Sequence, residues 1–171
     1  MNRTVKMSVF AAAIAAVTAA GVSPASAEPA ARTASAQAQW IRIVNENSGL
    51  CLAVPGGDAR PGVAVIQWTC NGGAEQSWLV NGNEWSPIQY NASLCLAIGG
   101  GSKVPGAKAI LWNCNGGREQ LWYVGGPPSS PIYNANSGLA LAIGGASKTR
   151  GEPVIQWTPN GGPEQDWWFY N

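Results

Sequence analysis

From Trp40 onward the chain is a succession of short apolar runs cut by glycine, asparagine and proline. Trp40-Ile41-Arg42-Ile43-Val44 is β-branched and partly alternating. Asn47-Ser48-Gly49 then turns into Leu50-Cys51-Leu52-Ala53-Val54, and a long Gly/Pro loop leads to Val63-Ala64-Val65-Ile66-Gln67-Trp68. Runs of this length and composition, bounded by turn residues, predict strands. Asn71-Gly72 predicts a tight hairpin, because both residue types tolerate a positive φ. A fourth strand is expected over Gln76 to Val80. No stretch sustains a helical period, so the pattern predicts an all-β domain with about four strands per unit.

The same order then recurs. Asn71-Gly72-Gly73-Ala74-Glu75-Gln76-Ser77-Trp78 returns as Asn115-Gly116-Gly117-Arg118-Glu119-Gln120-Leu121-Trp122, and again as Asn160-Gly161-Gly162-Pro163-Glu164-Gln165-Asp166-Trp167. From Gln76 to Gln120 is 44 positions and from Gln120 to Gln165 is 45. Internal periods of this size are the mark of repeat architectures. Three four-stranded units, over about residues 40–84, 85–127 and 128–171, can close around a pseudo-threefold axis and remove the exposed edges of an open sheet. That closure predicts a β-trefoil with Trp78, Trp122 and Trp167 in a shared core.

The segment before Trp40 has a different texture. Arg3 and Lys6 precede an apolar run from Val9 to Val22, and Ala25-Ser26-Ala27 supplies small residues for cleavage. This is the build of a secretory signal peptide over residues 1–27, with a second possible cut after Ala36. The run is shorter than the roughly 20 apolar residues of a membrane span. Residues 28–39 hold no large apolar side chain and are expected to be a disordered lead-in. The chain is therefore expected to be secreted and extracellular.

Removal of residues 1–27 leaves 8 basic and 9 acidic residues, a net charge of about −1. Neither nucleic acid nor an anionic membrane is the expected partner of such a surface. The chain has no histidine. That excludes the commonest general base and the usual serine and cysteine hydrolase dyads, and leaves no metal site or cofactor to expect. Four cysteines in an exported chain read as two disulfides, for which three connectivities exist.

Three Gln-x-Trp motifs in register, at Gln76/Trp78, Gln120/Trp122 and Gln165/Trp167, resemble the repeats of the ricin B-type lectin domain, over residues 40–171. The resemblance implies the β-trefoil fold and binding of galactose, xylan or related sugars. The equal spacing Cys51 to Cys70 and Cys95 to Cys114, at equivalent places, implies the bridges Cys51–Cys70 and Cys95–Cys114. The third unit has Ala140 and Pro159 there instead.

In that family a shallow pocket in each repeat stacks a sugar on an aromatic two residues before the second cysteine. Trp68, Trp112 and Trp157 hold that position. The family's aspartate, two residues after the first cysteine, is replaced by Ala53, Ala97 and Ala142. Its helper asparagine is replaced by Glu75, Glu119 and Glu164, which would return a carboxylate from the other side or else only stabilise their own turns. The usual glutamine is Ile66, Ile110 or Ile155, with Gln67, Leu111 and Gln156 one place later, on the opposite face of the strand. Gln76, Trp78, Gln120, Trp122, Gln165 and Trp167 are expected to be structural.

Glycoside hydrolysis needs two carboxylates in different environments. Glu75, Glu119 and Glu164 occupy symmetry-related places and should share one, so catalysis is not expected. The reading is a monomeric, secreted carbohydrate-binding module for glycans or polysaccharides. A protein-binding trefoil that has lost sugar binding is the alternative: loss of the aspartates favours it, and retention of the three tryptophans favours the lectin.

Overall fold

The computed structural model describes residues 38–171 except Asn83 and Pro127. The signal peptide and most of the lead-in expected from the sequence lie outside the described residues. Among the described residues, twelve strands run in three sets of four. The first set is β1 (Gln39–Asn45), β2 (Cys51–Ala53), β3 (Ile66–Trp68) and β4 (Trp78–Val80). The second is β5 (Trp85–Pro87), β6 (Leu94–Ile98), β7 (Ala109–Asn113) and β8 (Leu121–Val124). The third is β9 (Ser129–Asn134), β10 (Ala140–Ile143), β11 (Val154–Trp157) and β12 (Asp166–Tyr170). Gln39, placed by sequence at the end of the lead-in, is already in β1 opposite Val80.

The first and last strands of each set build a six-stranded barrel. β1 pairs with β4 and β12, β9 with β8 and β12, and β5 with β8. The bridge between Leu79 and Gln89 completes the ring. The middle strands form three hairpins, β2–β3, β6–β7 and β10–β11, which close one end of the barrel. They touch one another through Ala64–Ile110, Ile66–Pro153 and Lys108–Ile155, so each hairpin leans on its two copies. The fold is a β-trefoil.

The core is threefold in content as well as in outline. Ile43, Ile88 and Ile132 form one buried set, Leu52, Leu96 and Leu141 a second, and Trp78, Trp122 and Trp167 a third. A buried indole needs a partner for its N–H. Each of these finds one in the hairpin of its own repeat, with Nε1 donating to the carbonyls of Leu52, Leu96 and Leu141 at 3.0, 2.9 and 3.0 Å. The motif glutamines are buried beside them. Each side-chain oxygen accepts the N–H of the motif asparagine (Asn71, Asn115, Asn160), and each Nε2 donates to the carbonyl of Thr69, Asn113 or Thr158. The glutamine thus ties the end of one strand to the start of the next.

The Asn-Gly hairpin predicted between β3 and β4 does not form. β3 pairs with β2 and β4 with β1, so the two are not neighbours in the ladder. Gly72, Gly116 and Gly161 do take positive φ, at 75°, 74° and 73°, but the asparagines before them do not. Each asparagine instead accepts the N–H two residues on at 2.7 Å and leads into a single 3-10 turn that carries the Glu-Gln pair. The dipeptide makes a turn, and closure of the barrel decides which strands that turn joins.

Candidate functional site

Three depressions lie where each hairpin meets its 3-10 turns, and they are built alike. The first is lined by Ala53, Ile66, Trp68, Asn71 and Glu75 together with Pro55-Gly56-Gly57. The second is lined by Ala97, Ile110, Trp112, Glu119 and the loop Gly100-Gly101. The third is lined by Ala142, Trp157, Asn160, Glu164 and the loop Gly144-Gly145-Ala146. Their volumes are about 500, 380 and 310 Å³.

Strand register explains why each pocket has an indole on its wall. Trp68, Trp112 and Trp157 stand directly opposite Cys51, Cys95 and Ala140 at the open end of each hairpin. They keep 42%, 43% and 45% of their surface exposed, whereas the residue before each is fully buried. The neighbouring repeat covers one edge of each ring. A Cβ on Gly151, Gly62 or Gly106 would lie 3.6, 3.9 or 3.6 Å from Cζ3 of Trp68, Trp112 or Trp157. At Trp68 the guanidinium of Arg150, 5.8 Å from the ring centroid, adds a cation–π contact; the equivalent residues beside the other two rings are Pro61 and Pro105.

The alanines that stand where the family has aspartate are buried at the pocket floors. Among the described residues, the motif glutamate is the only carboxylate lining each pocket. Glu75 accepts from Asn71 Nδ2 at 2.7 Å, and Glu164 accepts from Asn160 Nδ2 at 2.8 Å. All three carboxylates lie across the glycine two residues earlier: a Cβ on Gly73, Gly117 or Gly162 would collide with the carboxylate. The Asn71 hydrogen bond, helped by Glu75's own backbone N–H, holds the Glu75 carboxyl below the ordinary glutamate range. A carboxylate has room for about four hydrogen bonds, so one engaged by its turn still has acceptor capacity toward the pocket. The two roles proposed for these glutamates are compatible.

Asn71 and Asn160 are lining residues that sequence reasoning assigned to a hairpin turn. Their recurrence in every motif was the available signal. Tyr90, Tyr133 and Asn134 line none of the three pockets. Tyr90 packs on Trp78 with centroids 5.6 Å apart, and Asn134 is fully buried. The disulfides Cys51–Cys70 and Cys95–Cys114 are present, each closing its own hairpin beside the pocket.

Comparison with known proteins gives the same architecture. The chain is similar to the designed threefold-symmetric protein ThreeFoil, at 30% identity over 77% of this chain and 98% of that one, with a TM-score of 0.73. It is similar to an exo-β-1,3-galactanase from Clostridium thermocellum, at 28% identity over 77% of this chain but only 30% of the enzyme, TM-score 0.71. The Macrolepiota procera ricin B-like lectin, solved with lactose, shares the fold at 20% identity over 78% of this chain and 95% of that one, TM-score 0.66. Among curated protein sequences none matches the chain at a significant level. The sequence model of the ricin-type beta-trefoil lectin domain matches residues 39–167, three motifs and three pockets included, and the chain belongs to that family.

Proposed function

We propose that the protein is a secreted, non-catalytic carbohydrate-binding module that holds neutral glycans or polysaccharides in three shallow pockets. The observation that carries this reading is the threefold recurrence of one constellation, a half-exposed indole and a motif glutamate lining the same pocket, with the carboxylate bonded by its own turn at Glu75 and Glu164. An indole face receives the polarised C–H groups of a sugar ring, and the carboxylate accepts its hydroxyls. Glu75, Glu119 and Glu164 take the part that an aspartate plays from the other wall in the wider family. Shallow single sites bind weakly, and three on one chain gain through avidity on a polymer.

The test is binding to insoluble polysaccharides and to a glycan array, for the parent and for Trp68→Ala/Trp112→Ala/Trp157→Ala. The parent is expected to bind and the triple variant to lose binding while remaining folded by circular dichroism. Binding that survives in the triple variant overturns the pockets. A folded parent that binds no glycan favours the protein-binding alternative, for which the alanine-floored pockets are the motivating feature.

A further inference from the structure

The three pockets are alike in lining but not in support. The third is braced from the first repeat. Asn45 Nδ2 donates to the carbonyl of Glu164 at 3.0 Å, and Asn47 Nδ2 to that of Ala146 at 2.8 Å. The fully buried Gln67 donates to the carbonyls of Ser147 and Thr149 at 3.0 and 2.9 Å. Ala146, held this way, is the one described residue other than glycine at positive φ, 51°. The second pocket is braced identically from the third repeat. Asn134 meets Glu119, Asn136 meets Gly101, and the buried Gln156 meets Ser102 and Val104, at 2.8 to 3.0 Å.

The first pocket should be braced from the second repeat, and all three kinds of brace are missing there. Leu111 replaces the buried glutamine. The turn after β5 is one residue shorter than its copies: Ile88 precedes Cys95 by seven positions, whereas Ile43 precedes Cys51, and Ile132 precedes Ala140, by eight. Tyr90 therefore stands where Asn45 and Asn134 stand. Asn91, the next residue, serves its own turn: its side-chain oxygen accepts from the N–H groups of Ser93 and Leu94 and from Ser93 Oγ. The carbonyl of Glu75 receives Val54 N–H, a bond from within its own repeat. Pro55, where the second pocket has Gly99 bonded to the carbonyl of Lys108, has no N–H to give. Beyond it lies the Asp58–Arg60 ion pair. Exposed pairs of this kind contribute little.

A loop with few buried hydrogen bonds to its surroundings opens locally at low cost, while a braced loop is preorganised and rejects what does not fit. Resting on the reading that the pockets bind sugars, we infer that the first repeat's pocket is the one that accepts bulky ligands. It takes substituted or internal residues of a polysaccharide chain, and the second and third take single unsubstituted sugar residues. The missing braces and the largest volume fall at the same pocket, as this division requires.

Two measurements test it. The amides of Asp58, Ser102 and Ser147 make the same bond back to the start of their 3-10 turns, to the carbonyls of Pro55, Gly99 and Gly144. In the unliganded protein Asp58 is expected to exchange its amide hydrogen about tenfold or more faster than the other two, after correction for intrinsic rates. Equal exchange overturns the inference whatever the protein binds. Single-pocket proteins, made by pairs of Trp→Ala changes, are then titrated calorimetrically with xylotetraose and with its arabinose-substituted counterpart. The protein keeping Trp68 is expected to bind both with similar affinity. Those keeping Trp112 or Trp157 are expected to lose about tenfold or more on the substituted ligand, the scale of one misfit group in a rigid site. Equal selectivity in all three overturns the inference alone. Absence of binding by all three, and by the parent on the array, overturns the sugar reading and this inference with it, while the exchange result still reports on the braces.

Discussion

Trp78, Trp122 and Trp167 share one environment, each fully buried and bonded to a leucine carbonyl. Gln67, Leu111 and Gln156, equally buried and equally related by the pseudo-axis, occupy two environments. Two are amides that reach into a neighbouring repeat, the third from Gln67 and the second from Gln156, and also meet a serine hydroxyl, Ser48 at 2.8 Å and Ser137 at 2.7 Å. The third is an aliphatic chain. The contrast separates two kinds of symmetry. Core side chains pack into one cluster shared by all three repeats, so a change in one is felt by all. A junction involves only two repeats and can switch from polar to apolar without disturbing the others, provided that no buried group is left unpaired.

The largest effect should come from the core. Trp78→Ala, Trp122→Ala and Trp167→Ala are each expected to cost about 3–5 kcal/mol, by denaturant unfolding with the disulfides intact. Losses that differ widely among the three would break the claim of a uniform core. The junctions come next. Gln67→Leu and Gln156→Leu should each cost about 2 kcal/mol, because the carbonyls and the serine they pair lose a buried partner. Leu111→Gln should cost a similar amount for the opposite reason: it buries an amide where no serine hydroxyl waits for its oxygen. A Leu111→Gln protein as stable as the parent would show that the odd junction is as polar as the other two.

The repeat period made the fold legible, because three copies of one pattern must occupy three equivalent places and only a closed arrangement allows it. The two disulfides followed from equal spacing. The indoles Trp68, Trp112 and Trp157 could be placed because the family resemblance puts an aromatic at that position of each repeat. The period of a strand put Gln67 and Gln156 on the face opposite Ile66 and Ile155, and the structure shows that face buried at both glutamines. The period could not say what they meet, since their partners lie 80 and 82, or 54 and 52, positions away and belong to another repeat. The one-residue shortening before Cys95 was visible as a step of 44 rather than 45. Its consequence, a pocket without the side-chain braces of its copies, was not, because the lost bonds belong to a loop about thirty positions earlier. The Asn-Gly hairpin failed for a related reason. Local turn preference is weak beside the requirement that β4 pair with β1 to close the barrel.

The smallest effect concerns Glu75 and bears on the pockets. Its carboxyl lies below the ordinary range chiefly because Asn71 Nδ2 bonds it, next through its own backbone N–H, with slight burial opposing. For an acid whose folded value is lowered, the stabilising contribution is present above the unfolded value and is lost as pH falls through the folded one. The 71–76 turn should therefore loosen only in acid. The change in global stability should be small, since the group is exposed to solvent screening. Carbon-detected NMR titration should place Glu75 below free glutamate in the parent and return it upward in Asn71→Ala. An unchanged midpoint in that variant would show that the asparagine does not hold the carboxylate. If it does hold it, the first pocket keeps its charged acceptor to lower pH than an unbonded glutamate would. Sugar binding by the protein that retains only Trp68 should then persist into mild acid and fall away at the same midpoint as the Glu75 titration.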